Sequence, residues 1–408
     1  MKRISGNPFI KVEREKIKLD DFYLDEILKI SETPFMVILE NRIRNNIKTF
    51  NEVFKSYFRE KFHGFYSFKA NFLPEVCSIV NSEEFGAEVI SLPELELALR
   101  IGFPSDKILA GGPYLNSSFI DRSIQSEVKE IVVYNTNDLV RINDSASKYD
   151  KVQHICLRIN SNKYGSRLGV SFNEKDNLKL KKIIQDSKNI EITTLLSHFS
   201  TQMNSFEQFK KNLNTIIQVK NSLEQSGINV PKINLGGGFP EAVIMPKKQL
   251  EIIVSKLKNL LDLANLKYEE VYFEPGRYLV GDAGIFVAKI INSQKNRWIS
   301  LNLGTNLIPK FARCSLRFYN ASFINSAHKH KTSIAGIVPT DQDVLVKDYF
   351  FTKRINEGDL ILITNVGAYA LTFSNRFPYA LAPIFKICDS KLIKIFDPKI
   401  DRDFSIQS

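Results

Sequence analysis

The chain has few of the residues that build metal centres and covalent scaffolds. Its 408 residues include four cysteines, Cys77, Cys156, Cys314 and Cys388, and five histidines. The cysteines are scattered and form no C-x-x-C pair, so neither a zinc site nor a disulfide framework is expected. No apolar run reaches the length of a membrane span. No repeat has a solenoid period and no tract is of low complexity. The opening residues, Met1-Lys2-Arg3-Ile4-Ser5-Gly6-Asn7-Pro8, lack the apolar core of a signal peptide. Together these absences predict a cytoplasmic protein with no metal and no membrane partner. The formal charge is +11, but Lys and Arg are spread along the chain with no basic run interleaved with aromatics. No nucleic-acid partner is therefore expected.

What is present is ordinary globular composition, 43% hydrophobic and 25% charged, enough to bury a large core. From about Pro34 to Val280, apolar runs alternate with amphipathic stretches. Strands are expected at Phe35–Leu39, 64–68, 87–90, 107–110, 130–134, 154–159, 192–196, 232–235 and 271–273, with helices at 42–58, 92–101 and 206–226. Such βα alternation predicts a parallel sheet with helical crossovers, and the number of units suits a closed (β/α)8 barrel. After about Gly281, short strand-like runs dominate, at 285–290, 298–301, 343–346, 360–363 and 392–396. The expected organisation is a barrel over 36–280 and a mainly β second domain made of 1–35 plus 281–408.

Four stretches at the expected strand ends carry chemistry. Tyr66-Ser67-Phe68-Lys69-Ala70-Asn71 places a lysine at a barrel mouth, where a partly apolar setting favours Schiff-base chemistry. Ser197-His198-Phe199-Ser200-Thr201-Gln202 offers an imidazole that could stack on a ring. Leu235-Gly236-Gly237-Gly238-Phe239 is a glycine-rich turn whose backbone N–H groups could cradle an anion. Glu274-Pro275-Gly276-Arg277 adds a carboxylate, a close-approach glycine and a guanidinium suited to phosphate. Each stretch alone has a bland reading: an exposed lysine, a buried histidine, a flexible turn, a salt-bridged glutamate. Together they supply what holds pyridoxal 5'-phosphate and tunes it as an electron sink.

These residues resemble the fold-type III pyridoxal-phosphate decarboxylases, the ornithine and diaminopimelate decarboxylase group, over nearly the whole chain. Ser31-Glu32-Thr33-Pro34-Phe35 is similar to that family's approach to the barrel, and Phe85-Gly86-Ala87-Glu88-Val89-Ile90-Ser91-Leu92-Pro93-Glu94-Leu95 to its second block, with Glu88 where a shorter aspartate is common. The resemblance implies Lys69 as the lysine that carries the cofactor, His198 stacked on the ring and Glu274 at the ring nitrogen. It implies phosphate contacts from Thr201, Gly236, Gly237, Gly238, Gly276, Arg277 and Tyr369, the last within Gly367-Ala368-Tyr369. Arg158 matches an arginine near the cofactor. It also implies a (β/α)8 barrel plus a β domain, as in alanine racemase, and a homodimer with shared active sites. A glutamate rather than an arginine at the ring nitrogen favours decarboxylation over racemisation.

The chain departs from the family in three segments. Gly336-Ile337-Val338-Pro339-Thr340-Asp341-Gln342-Asp343 keeps the glycine and the final, catalytic-motif Asp343, but Pro339 stands where a proton-donating cysteine is expected. Lys69, a water, Asp341 or Cys314 would have to supply that proton. Lys310–Tyr319 lies where diaminopimelate enzymes carry an Arg-Pro…Tyr patch and has no Arg-Pro; Arg313, Arg317 and Tyr319, with Thr340 and Asp341, are the substrate-binding candidates. Phe377-Pro378 replaces a Phe-Asn pair. The expected activity is α-decarboxylation of a diaminopimelate-, ornithine- or lysine-like amino acid, or of a modified or carrier-linked derivative. An epimerase using the same carbanion and a non-catalytic binding protein are the alternatives.

Overall fold

The structure, a computed structural model, describes residues 2–161 and 166–401. By its internal contacts the chain divides into two compact units. One takes residues 47–240 and 245–276. The other takes the chain up to Asn46, the short segment Glu241–Ile244, and the chain from Arg277 onward.

The first unit is a closed barrel of eight parallel strands: β1 (Phe62–Ser67), β2 (Gly86–Val89), β3 (Ile108–Gly111), β4 (Glu130–Val133), β5 (Gln153–Ile159), β6 (Ile190–Ser197), β7 (Lys232–Asn234) and β8 (Glu270–Phe273). β8 closes on β1 with Val271 opposite Phe62. The strands are almost wholly buried, as parallel strands covered by helices must be. Phe65, Leu109, Val132, Cys156, Leu196 and Tyr272 pack together in one cluster drawn from six of them. Outside, Phe50 and Phe54 stack at 4.2 Å, and Phe54 meets Phe273 of β8 at 4.4 Å. The helix Leu92–Ile101 starts at Ser91, whose hydroxyl accepts the Glu94 N–H, and ends at Gly102 with φ of 91°. Both are helix-capping chemistry written in the sequence, one at the start and one at the end.

The second unit is mainly β. A nine-stranded sheet includes Gly284–Ser293, Leu360–Thr364 and Ile384–Cys388, and a four-stranded antiparallel sheet is built from residues 2–23. Ile10, Leu19 and Ile27 share a core with Val37, Val287, Leu362 and Phe385. Phe35–Leu39, expected to open the barrel alternation, lies here instead. It pairs antiparallel with Gly284–Ser293 and parallel with Ile384–Cys388. All five of its residues are buried, and a continuous apolar run suits any sheet covered on both faces, so periodicity cannot choose between them. Asp282 ties this unit's separate segments together. It accepts Arg42 Nη2 at 2.6 Å, Asn46 Nδ2 at 2.8 Å and the Val243 N–H at 3.0 Å. Among the described residues no helix is long and apolar enough to cross a membrane, and no group of His, Cys, Asp and Glu is placed to hold a metal.

Candidate active site

The chemistry-bearing residues of the barrel unit follow, or end, its strands, at the face where barrel chemistry sits. Lys69 lies in the short turn Phe68–Ala70 just past β1. Its Nζ donates to Glu88 Oε1 at 2.8 Å and to Oε2 at 2.5 Å, and Ser67 Oγ also donates to Glu88. Glu88 belongs to β2 and is buried. Glu94, one turn into the following helix, accepts the Ile90 N–H at 2.8 Å. Burial pushes its carboxyl up to about 7, with Glu88 adding to the rise and Lys69 opposing it.

Arg158 on β5 donates to the Tyr134 hydroxyl at 2.7 Å, with its guanidinium 4.6 Å from that ring's centroid. Burial pushes the Tyr134 hydroxyl up. The Arg158 Nε is buried with no hydrogen-bond partner among the described residues.

The turns after β6, β7 and β8 lock together. Gly236 and Gly238 have φ of +66° and +86°, a region glycine adopts without a steric cost. A Cβ on Gly236 would stand 2.9 Å from His198 Nδ1, one on Gly237 would run into the Glu274 carbonyl, and one on Gly238 into the Ser200 carbonyl. Asn234 holds the turn at both ends: its Oδ1 accepts the Gly236 N–H at 2.8 Å and its Nδ2 donates to Glu274 Oε1 at 2.8 Å. Burial pushes the Glu274 carboxyl up to about 7. Glu88 adds to the rise; Lys69, Asn234 and Arg158 oppose it. Lys69, Glu88, Arg158 and Glu274 therefore lie within one another's electrostatic reach. Gly276 packs against the chain beside Lys69, since a Cβ there would meet Ala70 Cβ at 2.8 Å. Thr201 is exposed on the bend after His198.

In the other unit, Arg277 is buried. It donates to Glu241 Oε1 at 3.2 Å and to the Ala312 carbonyl at 2.7 Å, and stacks 4.9 Å from the Tyr369 ring centroid. Glu241 also accepts Ser315 Oγ at 3.0 Å. Tyr369 has φ of +64°, and a Cβ on Gly367 would run into the Val280 carbonyl, so the Gly-Ala-Tyr stretch is shaped by close backbone approach. Cys314 donates to the Ala368 carbonyl at 3.4 Å, and burial pushes its thiol up to about 11.

Asp343 and the substrate-binding candidates also lie in this unit. Asp343 is 2% exposed. Its oxygens accept the Thr305 N–H at 2.6 Å and the Val338 N–H at 2.7 Å, and it fills the space beside Gly304 and Gly336. These backbone contacts hold the loop around Asp343. Of the substrate candidates, Arg317 and Tyr319 lie side by side, with Arg317 in electrostatic and hydrogen-bond reach of the Tyr319 hydroxyl. Arg313 is exposed, Arg317 donates to the Ser5 carbonyl at 2.8 Å, and Tyr319 lies 5.9 Å from the His328 ring. Thr340 shapes a turn by accepting the Gln342 N–H at 3.2 Å, and Asp341 is exposed. Sequence reasoning passed over Asn234, Tyr134 and Glu241, the polar partners of Glu274, Arg158 and Arg277. Asn234 and Glu241 flank the glycine turn, the one signal that could have found them.

Residues 40–281 match the family model described as the pyridoxal-binding domain of the pyridoxal-dependent decarboxylases. That stretch is more than half of the chain, and the chain belongs to this family: it is an amino-acid decarboxylase that works with pyridoxal phosphate. It is 24% identical to the diaminopimelate decarboxylase of Methanocaldococcus jannaschii, over 91% of this chain and 90% of that one. It is 25% identical to the L-glutamyl-(BtrI acyl-carrier protein) decarboxylase of Niallia circulans, over 88% and 89%. The crystal structure of the M. jannaschii diaminopimelate decarboxylase superposes with a TM-score of 0.87 at 21% identity, covering 96% of this chain and 95% of that one. The lysine decarboxylase of Selenomonas ruminantium superposes at 0.75 and 20% identity, covering 90% and 95%. The residues present fit the cofactor. Glycines that cannot carry a side chain leave backbone for an anion, and a buried carboxyl raised to about 7 is one that a cationic ring nitrogen would restore to its charged form.

Proposed function

We propose that this chain removes the α-carboxylate of a diaminopimelate- or lysine-like amino acid whose far end is modified or carried on an acyl-carrier protein. It works as a cytoplasmic homodimer with shared sites. The observation that carries the chemistry is the buried Glu274 carboxyl within electrostatic reach of the Lys69–Glu88 pair. Lys69 would hold the cofactor, His198 its ring, Glu274 its ring nitrogen, and the Gly236–Gly238 turn, Gly276, Thr201, Arg277 and Tyr369 its phosphate. Arg158 would stand near it. When bound, the cofactor supplies an electron sink for the pair left at Cα as CO2 departs.

The chain's own groups manage position and protons. Asn234 fixes Glu274 in place by a 2.8 Å hydrogen bond. Glu241 and the Ala312 carbonyl fix Arg277. Glu88 holds the Lys69 ammonium, and Lys69 Nζ delivers the proton that replaces CO2 at Cα. Neither other side-chain candidate has a comparable setting: Cys314 is a thiol raised to about 11, and Asp341 is exposed. The modified substrate is supported by the missing Arg-Pro pair in residues 310–319 and by the carrier-linked substrate in the name of one relative.

The test is borohydride reduction of the loaded protein with peptide mapping, followed by a substrate panel with CO2 detection and product mass. The cofactor should be found on Lys69, and CO2 should be released from the modified amino acids. Exchange of the α-proton without CO2 would replace decarboxylation with epimerisation. Full activity on free diaminopimelate would remove the modified-substrate reading.

A further inference from the structure

The inside of the barrel is layered. Phe65, Val132, Cys156 and Tyr272 pack together in its apolar middle, with Tyr134 against them. Strand side chains alternate between faces, so two residues further along the chain the same side carries Ser67, Tyr134, Arg158 and Glu274. With Glu88 of β2 and Asn234 of β7 these make a polar layer at the end where Lys69 lies. Its members hold one another in pairs: Ser67 and Lys69 donate to Glu88, Asn234 donates to Glu274, and Arg158 donates to Tyr134.

The last pair is the one that fixes a charge. Val133 pairs with Leu157 across β4 and β5, which brings Tyr134 beside Arg158. The Arg158 Nη1 donates to the Tyr134 hydroxyl at 2.7 Å, and the guanidinium lies 4.6 Å from that ring's centroid. Among the described residues this is the side chain's one hydrogen bond. Its Nε is buried without a partner, and it forms no ion pair. Its charge nevertheless reaches Glu274 and opposes protonation there. Glu274 gives Oε1 to Asn234 Nδ2 at 2.8 Å, and its Oε2 has no hydrogen-bond partner among the described residues. A guanidinium with unmet donors and a carboxylate with an open oxygen attract each other strongly away from water. The Tyr134 hydroxyl and ring give that guanidinium another place to rest. Burial pushes the hydroxyl up, so it stays a neutral acceptor near neutral pH.

We infer that Tyr134 is a positioning residue of the reaction: it holds the Arg158 guanidinium on its own ring and off Glu274, which leaves a Glu274 oxygen open to the ring nitrogen of the cofactor. The inference rests on the assignment of Glu274 to that nitrogen, and its test separates the two. The groups that act on Glu274 are Lys69 after β1, Glu88 on β2, Tyr134 after β4, Cys156 and Arg158 on β5, and Asn234 on β7. His198 packs on Gly236 of the neighbouring turn. Glu94 also titrates near about 7, so Glu94→Gln is the background, and the cofactor-free protein is unfolded in urea at pH 5 and pH 8. With the Glu274 carboxyl raised to about 7, the folded chain holds a proton at pH 5 that the unfolded chain has released, and stability is higher there than at pH 8. Tyr134→Phe frees Arg158 to pair with Glu274. It should narrow that difference, about tenfold in the folding constant for each unit by which the carboxyl falls. Arg158→Met should widen the difference, and Tyr134→Phe combined with Arg158→Met should match Arg158→Met alone. In the loaded enzyme Tyr134→Phe should lower kcat about tenfold, less than Glu274→Gln does, while borohydride still traps the cofactor on Lys69. A stability loss equal at both pH values, a widened difference, or a Tyr134→Phe effect that persists beside Arg158→Met overturns the inference. A narrowed difference with unchanged kcat upholds the hold on Arg158 and overturns its place in the reaction. Wild-type kcat in Glu274→Gln overturns the ring-nitrogen assignment itself, whatever Tyr134→Phe does to the pH difference.

Discussion

Glu94 shows how burial, with a neighbouring carboxylate, makes a pH sensor. Its carboxyl titrates near about 7 in the folded protein against an ordinary value of 4.5, chiefly through desolvation. Between those values the folded chain holds a proton that the unfolded chain has released. Stability therefore falls as pH rises from about 4.5 to about 7 and is level above that. Glu94→Gln keeps an acceptor for the Ile90 N–H and removes the titration. Urea midpoints of the cofactor-free protein at pH 5 and pH 8 should lie closer together in the variant than in wild type, by up to ~3 kcal/mol of stability; an unchanged gap would show that Glu94 titrates normally. Glu274 carries the larger functional weight. Glu274→Gln keeps a partner for Asn234 but cannot carry the negative charge that a protonated ring nitrogen needs. The loss in kcat should be about 10²–10³-fold while reduction still traps the cofactor on Lys69. A loss of trapping in place of a loss of rate would make Glu274 a binding residue only.

At the scale of elements, the turn after β7 is the part least able to change. Gly238 combines φ of +86° with a backbone carbonyl where a Cβ would go. Gly238→Ala should cost about 1–3 kcal/mol in thermal or urea unfolding and should lose cofactor on dialysis faster than wild type; unaltered retention would mean that the turn does not carry the phosphate. This turn was legible in the sequence because three glycines after an apolar run admit few other readings. The eight barrel strands were legible for a similar reason: each is a short apolar run between amphipathic stretches. Side-chain partnership was not legible. Glu88 was visible as part of a block, but its clasp on Lys69 needs β1 and β2 paired, with Ser67 opposite Glu88. Asp343 was visible as the end of its motif, but its contacts with the Thr305 and Val338 amides needed the fold. Phe35–Leu39 read as barrel because burial on both faces looks the same in any sheet.

For the whole molecule the open quantity is the number of chains that make one site. Phe311, Phe373, Phe377 and Tyr379 of the β unit are 74%, 40%, 64% and 47% exposed, and Phe311 meets Phe373 edge-on at 4.7 Å. Exposed aromatics of this kind are what subunit interfaces bury. The loop that Asp343 ties down lies in that same unit. If the loop serves the partner's Lys69, two separately dead subunits contain between them one complete site. Lys69→Ala removes the lysine and keeps the loop; Asp343→Ala releases the loop and keeps the lysine. A hybrid dimer then has one site with neither defect, because the intact lysine of one subunit meets the intact loop of the other. Mixing the two inactive variants, with exchange of subunits followed by sedimentation, should therefore restore part of the wild-type CO2 release in the dimer fraction. Hybrid dimers that form and stay inactive would mean that each subunit completes its own site. The Pro339 substitution would then have to be explained within a single chain.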